Sequence, residues 1–215
     1  MADGRTPSGP CRGKPAGAGN LLKKTFAEKV TEILAARDPN DRRPVLILAE
    51  DEGRFGRIIG VRRAWAPRGC RPVAPRQIVR KYLYGYVAVC PALGKLSALV
   101  LPWANTAMMR LFLDQVSRDF KEYFLIILMD QAGWHVSQHF MVPENIRIIR
   151  QPARSPELNP VEHIWDDLRE KYFVNRAFPS LDTVEETLCK GINYLAHHPD
   201  DLKSLTNFPF LNVTV

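Results

Sequence analysis

Two short apolar runs in this sequence lead directly into carboxylates. Val45–Ala49 (VLILA) is followed by Glu50-Asp51-Glu52, and Phe124–Met129 (FLIILM) is followed by Asp130. Uninterrupted apolar runs of this length are typical of strands that are buried on both faces. Sites in parallel sheets collect at the carboxyl ends of strands. The pattern therefore predicts that Asp51 and Asp130 lie at one edge of a sheet.

The remaining elements follow from the spacing of apolar residues. Alternating or short apolar patterns predict three more strands, at Lys81–Ala88, Leu96–Leu101 and Ile146–Ile149. Apolar residues at helical spacing predict helices at Leu22–Ala35, at Thr106–Phe120 behind an Asn105 cap, and at Leu181–Ala196 behind a Ser180 cap. Strands first, then alternating strands and helices, predict an α/β fold: a mixed five-stranded sheet with helices on both faces.

The stretch from Arg150 to Trp165 (RQPARSPELNPVEHIW) combines a proline-rich loop with the start of a helix. Asn159 suits the N-cap, Pro160 the first helical position and Glu162 the third. One interpretation is a capping box, in which Glu162 binds the Asn159 amide and has no other role. The alternative is that Glu162 joins the two strand-end aspartates as a third carboxylate.

Composition and charge limit the kinds of partner that this protein can have. The chain has 215 residues, 46% of them hydrophobic, and a formal net charge of +7. This length allows one substantial domain with appendages, and the positive charge indicates a polyanionic partner. No apolar run approaches the roughly 20 residues that a bilayer span needs, so we expect a soluble, cytoplasmic protein. The four cysteines lack CxxC spacing, which argues against a disulfide framework or a zinc knuckle.

One stretch is strongly basic. Gly53–Lys81 contains no acidic residue and nine basic ones, namely Arg54, Arg57, Arg62, Arg63, Arg68, Arg71, Arg76, Arg80 and Lys81. A solvated cationic surface normally has acids interleaved, so this stretch predicts a hairpin that binds phosphates. Trp65, inside it, would either stack on an unpaired base or pack in the core, and the core position is the favoured interpretation.

Four short sequence motifs resemble those of a known family. They are Glu50–Gly56 (EDEGRFG), Ala64–Gly69 (AWAPRG), Asp130–His135 (DQAGWH) and Ser155–Trp165 (SPELNPVEHIW). In this order they resemble the DDE-superfamily endonucleases, and more narrowly the catalytic domain of mariner-related bacterial insertion-sequence transposases. The likeness covers about Leu21 to Phe208. It implies an RNase H-like fold, with Asp51, Asp130 and Glu162 as the catalytic, metal-binding acids.

The resemblance also implies a reaction and its cofactor. Three carboxylates suit two Mg²⁺ or Mn²⁺ ions that assist cleavage of a DNA strand and its transfer to target DNA. His135, His163 and Asn159 are possible accessory residues. Arg154 stands where the family usually has an aromatic, and we take it as facing DNA. Zinc binding by His135 and His139 is disfavoured, because no third ligand follows at a useful spacing.

The resemblance divides the chain into four parts: a disordered basic arm (1–20), a lead-in helix and linker (21–43), the catalytic domain (44–208) and a tail (209–215). Such transposases choose their DNA ends with an amino-terminal helix-turn-helix region, and only fifty residues precede Asp51 here. We therefore expect a separate helix-turn-helix subunit, and a homodimer on DNA at the element ends, without membrane association. The alternatives are a non-enzymatic DNA-binding remnant of a mobile element and, less favoured, a cellular RNase H-like nuclease.

Overall fold

A mixed five-stranded sheet forms the centre of the protein. The computed structural model describes residues 18–58, 60, 65–70, 73, 77–131, 141–153 and 155–213. The strands are β1 (Val45–Gly56), β2 (Tyr82–Cys90), β3 (Lys95–Leu101), β4 (Phe124–Met129) and β5 (Ile146–Arg150). Their order across the sheet is β3-β2-β1-β4-β5. The first three strands are antiparallel neighbours, whereas β4 runs parallel to both β1 and β5.

Strand β1 changes partners along its length. It pairs with β4 only from Val45 to Ala49, and with β2 from Ala49 to Gly56. The strand is therefore longer than its apolar run, because the polar half is held by the hairpin with β2. Asp51 lies just beyond the parallel half, so the expected placement at the end of a parallel pairing holds even though the strand itself continues.

Within the described ranges, five α-helices accompany the sheet: α1 (Ala18–Ala35), α2 (Thr106–Asp119), α3 (Val161–Leu168), α4 (Leu181–His197) and α5 (Pro199–Thr206). Helix α2 packs against one face, where Met109, Phe112 and Leu113 contact alternate residues of the central strands. The other four helices belong to the hydrophobic core on the opposite face. The prediction of helices on both faces of a five-stranded mixed sheet is confirmed.

The predicted caps form as expected. The Asn105 side chain accepts a hydrogen bond from the Met108 N–H at the start of α2, at 2.9 Å. The Ser180 hydroxyl accepts one from the Thr183 N–H at the start of α4, at 3.1 Å. Each side chain satisfies a backbone donor that the first helical turn leaves without a partner.

The two ends of the described chain meet on the α3 face. The predicted apolar stripe of α1 is buried, and the ring of Phe26 packs edge-to-face on Phe210 at 5.4 Å. Phe210 belongs to a 3-10 helix, Pro209–Leu211, whose last residue is buried. Helix α5, which the sequence patterns did not predict, buries Leu202 and Thr206 beside it. No helix among the described residues is long and apolar enough to span a membrane.

Candidate active site

The three acids singled out in the sequence line one cavity. Asp51 lies within β1, Asp130 directly follows β4, and Glu162 occupies the first turn of α3. The cavity has a volume of about 280 Å³, and its other lining residues are Gln131, Gln151, Ala153, Ser155, Pro156 and Asn159. Strand, strand end and helix start thus bring together three carboxylates from distant parts of the sequence.

Trp165 fixes the orientation of Asp51. Its indole N–H donates a hydrogen bond to Oδ2 of Asp51 at 3.0 Å. The indole is fully buried between α3 and β1, and Phe55 packs on it at 5.6 Å between ring centroids. Gly53 makes room for this ring, because a Cβ there would lie 2.7 Å from an indole carbon. The sequence patterns identified Trp165 only as a core residue, since its helical spacing says nothing about its polar edge.

Asn159 joins the proline-rich loop to the sheet. Its side-chain amide donates to the backbone carbonyl of Glu50 at 2.6 Å, and its Oδ1 accepts from the Val161 N–H at 3.1 Å. The Asn159 backbone N–H donates to Pro156, so Glu162 does not close the capping box. The 3-10 turn Pro156–Leu158 and the first turn of α3 are thereby held over β1, with Glu162 facing the cavity.

The carboxylates disfavour each other's charge. Burial, followed by the nearby charges of Glu162 and Glu52, raises the pKa of Asp51 to about 8, although the Trp165 hydrogen bond acts in the opposite direction. Burial is also the main reason that the pKa of Glu162 is raised, while Arg169 opposes that rise. Desolvation and like charges both penalise ionised carboxyls. A pKa of about 8 favours the protonated form of Asp51 at neutral pH unless a cation compensates the negative charge.

This donor set suits a hard divalent cation. All three acidic side chains offer oxygen ligands, which Mg²⁺ and Mn²⁺ prefer. Among the described residues, no group of three or more His, Cys, Asp or Glu side chains is already arranged around an ion position. The chemistry of the ligands and the raised pKa values both fit a cation here.

Two glutamines at the same sheet edge were not predicted. Gln151 follows β5 as Asp130 follows β4, and the preceding residues of the two strands are paired in register. The side chain of Gln131 donates to the Gln151 carbonyl at 2.9 Å. The Oε1 of Gln151 is buried and has no hydrogen-bond partner among the described residues. Gln151 directly follows the observed strand Ile146–Arg150, but the predicted strand ended at Ile149, so the signal that singled out Asp130 did not identify Gln151.

Glu50 and Glu52 lie on the opposite face of β1 from Asp51, because side chains alternate along a strand. Glu50 is fully buried, and its carboxylate oxygens have no hydrogen-bond partner within the described chain. Desolvation, with the neighbouring charge of Glu52 next in size, raises the pKa of Glu50 well above its usual range. Glu50 contributes to the site through its backbone carbonyl, which holds Asn159.

His163 does not line the cavity. Its Nδ1 lies 3.1 Å from the carbonyl oxygen of Leu205 in α5, and its ring packs edge-to-face on Phe208. One residue past Glu162 on a helix corresponds to a rotation of about 100°, which turns His163 toward α5. The accessory role considered for His163 therefore has no support in its position, and its contacts are structural. His135, His139 and Arg154 lie outside the described residues.

The described part of the basic stretch begins in β1 with Arg54, whose side chain lies on the opposite face of the strand from Asp51. Arg54 is exposed and stacks over the Tyr82 ring at 4.7 Å, and Arg68 is exposed in a turn. Arg57 donates from Nε to the Phe178 carbonyl at 2.8 Å, so part of its guanidinium has a structural role. Trp65 is fully exposed, so the prediction of a core position is wrong; residues 65–70, which the structure describes, form no strand. The remaining predicted DNA contacts, Arg62, Arg63, Arg71 and Arg76, lie outside the described residues.

The sheet order, with acids on β1, after β4 and on a following helix, defines an RNase H-like nuclease fold. The family model of the DDE superfamily endonucleases matches residues 46–185. The chain belongs to this family. A relative from Sinorhizobium fredii (strain NBRC 101917 / NGR234), the uncharacterized protein y4pE/y4sA, is 38% identical over 125 residues, which are 58% of this chain and 91% of the relative.

Solved structures with this fold include the Mos1 strand transfer complex, with a TM-score of 0.55 and 15% identity over 97% of this chain and 67% of that one. The Mos1 transposase paired-end complex with left transposon end has a TM-score of 0.54 and 16% identity, and the match covers 97% of this chain and 68% of that one. The mariner Mos1 paired end complex with Mg has a TM-score of 0.53 and 15% identity, and the match covers 96% of this chain and 67% of that one. This chain therefore spans about two thirds of those chains.

Proposed function

We propose that this protein is the catalytic part of a transposase, which cleaves a DNA strand at the end of a mobile element and joins it to target DNA. The observation that carries the proposal is the shared cavity of Asp51, Asp130 and Glu162. All three residues fall inside the range matched by the DDE endonuclease family. The Mos1 complexes with the same fold contain a transposon end or represent strand transfer, which supports the transposase assignment.

In the proposed reaction, water first attacks a phosphodiester of the element end and releases a 3′ hydroxyl. That hydroxyl then attacks a phosphodiester of target DNA, so one P–O bond forms for each one that breaks. Asp51, Asp130 and Glu162 are the proposed ligands of two Mg²⁺ or Mn²⁺ ions. Such ions, when bound, activate the attacking oxygen and stabilise the leaving one. Mos1 has been solved with Mg and with Mn, which supports this choice of cofactor.

The surrounding residues position the acids. Trp165 holds one oxygen of Asp51, so the carboxylate keeps a fixed orientation across β1. Asn159 ties the helix that carries Glu162 to the backbone of the same strand. Arg169, which directly follows α3, offsets part of the negative charge at Glu162. Fixed carboxylates reduce the reorganisation that accompanies the chemical step.

The DNA backbone would lie along exposed arginines of the basic stretch, among them Arg54 and Arg68. Guanidinium groups bind phosphates and carry little sequence information. A separate helix-turn-helix subunit would supply recognition of the element ends, and a homodimer would bring two ends together. These partners extend the proposal and are tested separately from cleavage.

A nicking assay tests the central proposal. Supercoiled DNA, or a duplex carrying the element end, is incubated with Mg²⁺ or Mn²⁺ and with the parent protein, Asp51→Asn, Asp130→Asn or Glu162→Gln. We expect metal-dependent nicking by the parent and a loss of at least about 100-fold in each variant, because the metal supplies most of the rate. Glu186→Gln, which removes an exposed carboxylate from α4, is the matched control and keeps the parent rate.

Thermal melting supplies a second measurement, independent of activity. A cation that relieves the repulsion among the three acids stabilises the folded state by linkage. Millimolar Mn²⁺ should therefore raise the Tm of the parent and of Glu186→Gln, and raise it less in Asp51→Asn. A Glu162→Gln protein that nicks DNA at the parent rate would remove Glu162 from the site. A parent that binds DNA, melts identically with and without Mn²⁺ and never nicks would instead be the inactive remnant.

A further inference from the structure

Gln151 completes a row of oxygen-bearing side chains across three parallel strands. In the buried row before it, Ala49 of β1 is paired with Leu128 of β4, and Leu128 is paired with Ile149 of β5. All three side chains belong to the core on the α3 face. Residues two positions further along a strand lie on the same face of the sheet. The next row on this face therefore consists of Asp51, Asp130 and Gln151.

The backbone holds Gln151 in this row. Its N–H donates to the Met129 carbonyl at 2.9 Å, which continues the pairing of β5 with β4 by one residue. Its carbonyl accepts a hydrogen bond from the Gln131 side chain at 2.9 Å. Neighbouring strands lie about 4.8 Å apart, so Gln151 lies beside Asp130, on the side away from Asp51. Gln151 also lines the cavity that contains the three acids.

The Oε1 atom of Gln151 lacks an electropositive partner. It is buried and accepts no hydrogen bond from any described residue. The other two amides that line the cavity donate elsewhere, Gln131 to the Gln151 carbonyl and Asn159 to the Glu50 carbonyl. A buried oxygen without a partner destabilises a folded protein. Because Gln151 lines the acid cavity, a ligand in that cavity is the group that would supply the partner.

The chemistry of the cavity wall favours a cation as this partner. Among the described residues, its ionisable side chains are Asp51, Asp130 and Glu162, and no lysine or arginine joins them. Gln151 offers an oxygen ligand as they do, but without a charge. Carboxylate and amide oxygens are both ligands of hard divalent cations. A single hydroxyl donor would satisfy Oε1 but would leave the repulsion among the carboxylates in place.

We propose that Gln151 is a fourth, neutral ligand of the divalent cations at the acids, on the Asp130 side of the cavity. The inference rests on the proposed function, because it assumes that the acids hold such cations. Charge explains why an amide serves better here than a fourth carboxylate. Two divalent cations and three ionised carboxylates leave one net positive charge, which attracts a phosphodiester, whereas a fourth carboxylate would cancel it.

Binding of Mn²⁺ alone, without DNA, tests the proposal. Titration calorimetry at neutral pH measures the Mn²⁺ affinity of the parent, Gln151→Leu and Gln151→Asn. Leucine removes the oxygen, whereas asparagine keeps the amide but withdraws it by one methylene group. We expect both variants to bind Mn²⁺ about 10-fold more weakly or worse, a loss at least as large as that for the hydrogen-bond partner of a metal ligand. Gln151→Asn covers the case in which Gln151→Leu does not fold.

Thermal melting separates a ligand from a structural residue. In EDTA, Gln151→Leu should melt no lower than the parent, because it removes a buried oxygen that lacks a partner. In millimolar Mn²⁺ its Tm should rise less than that of the parent. The matched control is Gln115→Leu, which removes an amide that donates to Asp119 in α2, on the other face of the sheet. It should keep the parent's Mn²⁺ affinity and its rise in Tm.

Gln151→Glu tests the charge argument. It keeps an oxygen at this position and adds a negative charge, so it should bind Mn²⁺ more tightly than the parent. Because the added charge cancels the net positive charge, the variant should bind DNA more weakly in Mn²⁺. Weaker binding of Mn²⁺ by Gln151→Glu would overturn the proposal, since an oxygen ligand is still present.

The results separate this inference from the proposed function. A parent that binds Mn²⁺ and nicks DNA, with unchanged Mn²⁺ affinity in Gln151→Leu and Gln151→Asn, would overturn the role of Gln151 and leave the transposase assignment standing. Unchanged Mn²⁺ affinity with slower nicking would assign Gln151 to DNA or to the attacking oxygen, and would also overturn the inference. A parent that binds neither Mn²⁺ nor DNA would contradict both.

Discussion

The indole of Trp165 and the carboxylate of Asp51, 114 residues apart in the chain, are joined by a 3.0 Å hydrogen bond. The ring is completely buried, so this contact links the hydrophobic core to the acid cavity. A residue that the helical pattern assigns to packing therefore also determines how an acid of the site is oriented.

Trp165→Phe should weaken both the packing of the hydrophobic core and the orientation of Asp51. The variant keeps an aromatic ring but removes the hydrogen bond and some volume, which costs about 1–3 kcal/mol of stability. Because the indole lowers the pKa of Asp51, its loss should raise that pKa further. Urea unfolding and a pH series of metal-dependent nicking measure the two effects, and the nicking profile should move to higher pH.

The control for this variant is Trp103→Phe, because Trp103 is an exposed tryptophan outside the cavity. It should change neither the unfolding free energy nor the pH profile. An unchanged profile in Trp165→Phe would mean that the hydrogen bond does not influence Asp51 in solution.

Without divalent cations, the folded protein should lose stability as pH rises from about 4 to about 8. The pKa of Asp51 is raised from 3.8 to about 8, so the folded protein retains a proton that the unfolded chain releases in this window. Rising pH then favours the unfolded chain. Below pH 4 the carboxyl is protonated in both states, so the stability no longer changes with pH through this group. Glu162 and Glu50, with raised pKa values, act in the same direction.

Denaturant unfolding in EDTA at several pH values measures this slope. Asp51→Asn should flatten it, because the group that takes up the proton is gone, while Glu186→Gln keeps it. A parent whose stability rises between pH 5 and pH 8 would contradict the predicted ionisation of the cavity.

Gly53→Ala tests how closely α3 approaches β1. The added Cβ would lie 2.7 Å from the Trp165 ring and 2.8 Å from Phe55, closer than real side chains come. Overpacking of this kind costs about 1–3 kcal/mol and should displace the indole from Asp51. Thermal melting and tryptophan fluorescence measure the two effects.

Gly60→Ala is the matched variant, since a Cβ at Gly60 has no neighbour within 4 Å among the described residues. Its Tm should stay at the parent value. Equal Tm values for both variants would show that the helix can shift away from the strand at no cost.

Salt dependence tests the proposed contacts of the exposed arginines. The logarithm of the binding constant for duplex DNA falls with the logarithm of salt by about 0.9 for each phosphate contacted. Replacing Arg54 and Arg68 with alanine should flatten the slope by up to about two units. Titrations at several salt concentrations measure it, and Arg110→Ala, an exposed arginine of α2, serves as the control. An unchanged slope in the double variant would place the DNA elsewhere.

The sequence predicts the frame of this site well because burial and periodicity are local signals. The apolar runs before Asp51 and Asp130 give the two parallel strands. The Asn-Pro turn gives the start of α3, although the helix begins at Val161, one residue later than predicted. Gln151 carries the same local signal, a polar residue at the end of a parallel strand, but it lies outside the four motifs that resemble the family.

What the sequence does not predict depends on contacts between distant segments. The Trp165–Asp51 hydrogen bond joins a helix to a strand, and no spacing within either element encodes it. The direction of His163 is set by α5, whose pairing with α3 is not visible in the helix pattern. Trp65 is exposed, and residues 65–70 around it form no strand, which the usual preference of tryptophan for burial does not predict.

The partner change in β1 has a wider consequence. Beyond Ala49 the sheet narrows from five strands to three, since β4 stops at Met129 and β5 at Arg150 while β1 continues with β2 to Gly56. Among the described residues the sheet thus has a step, where β1 lies between Asp130 and Gln131 on one side and the start of α3 on the other. A rod as wide as a nucleic-acid duplex can approach a step but could not enter a closed pocket. For the proposed DNA substrate, we therefore expect the duplex to approach the acids along this step of the sheet.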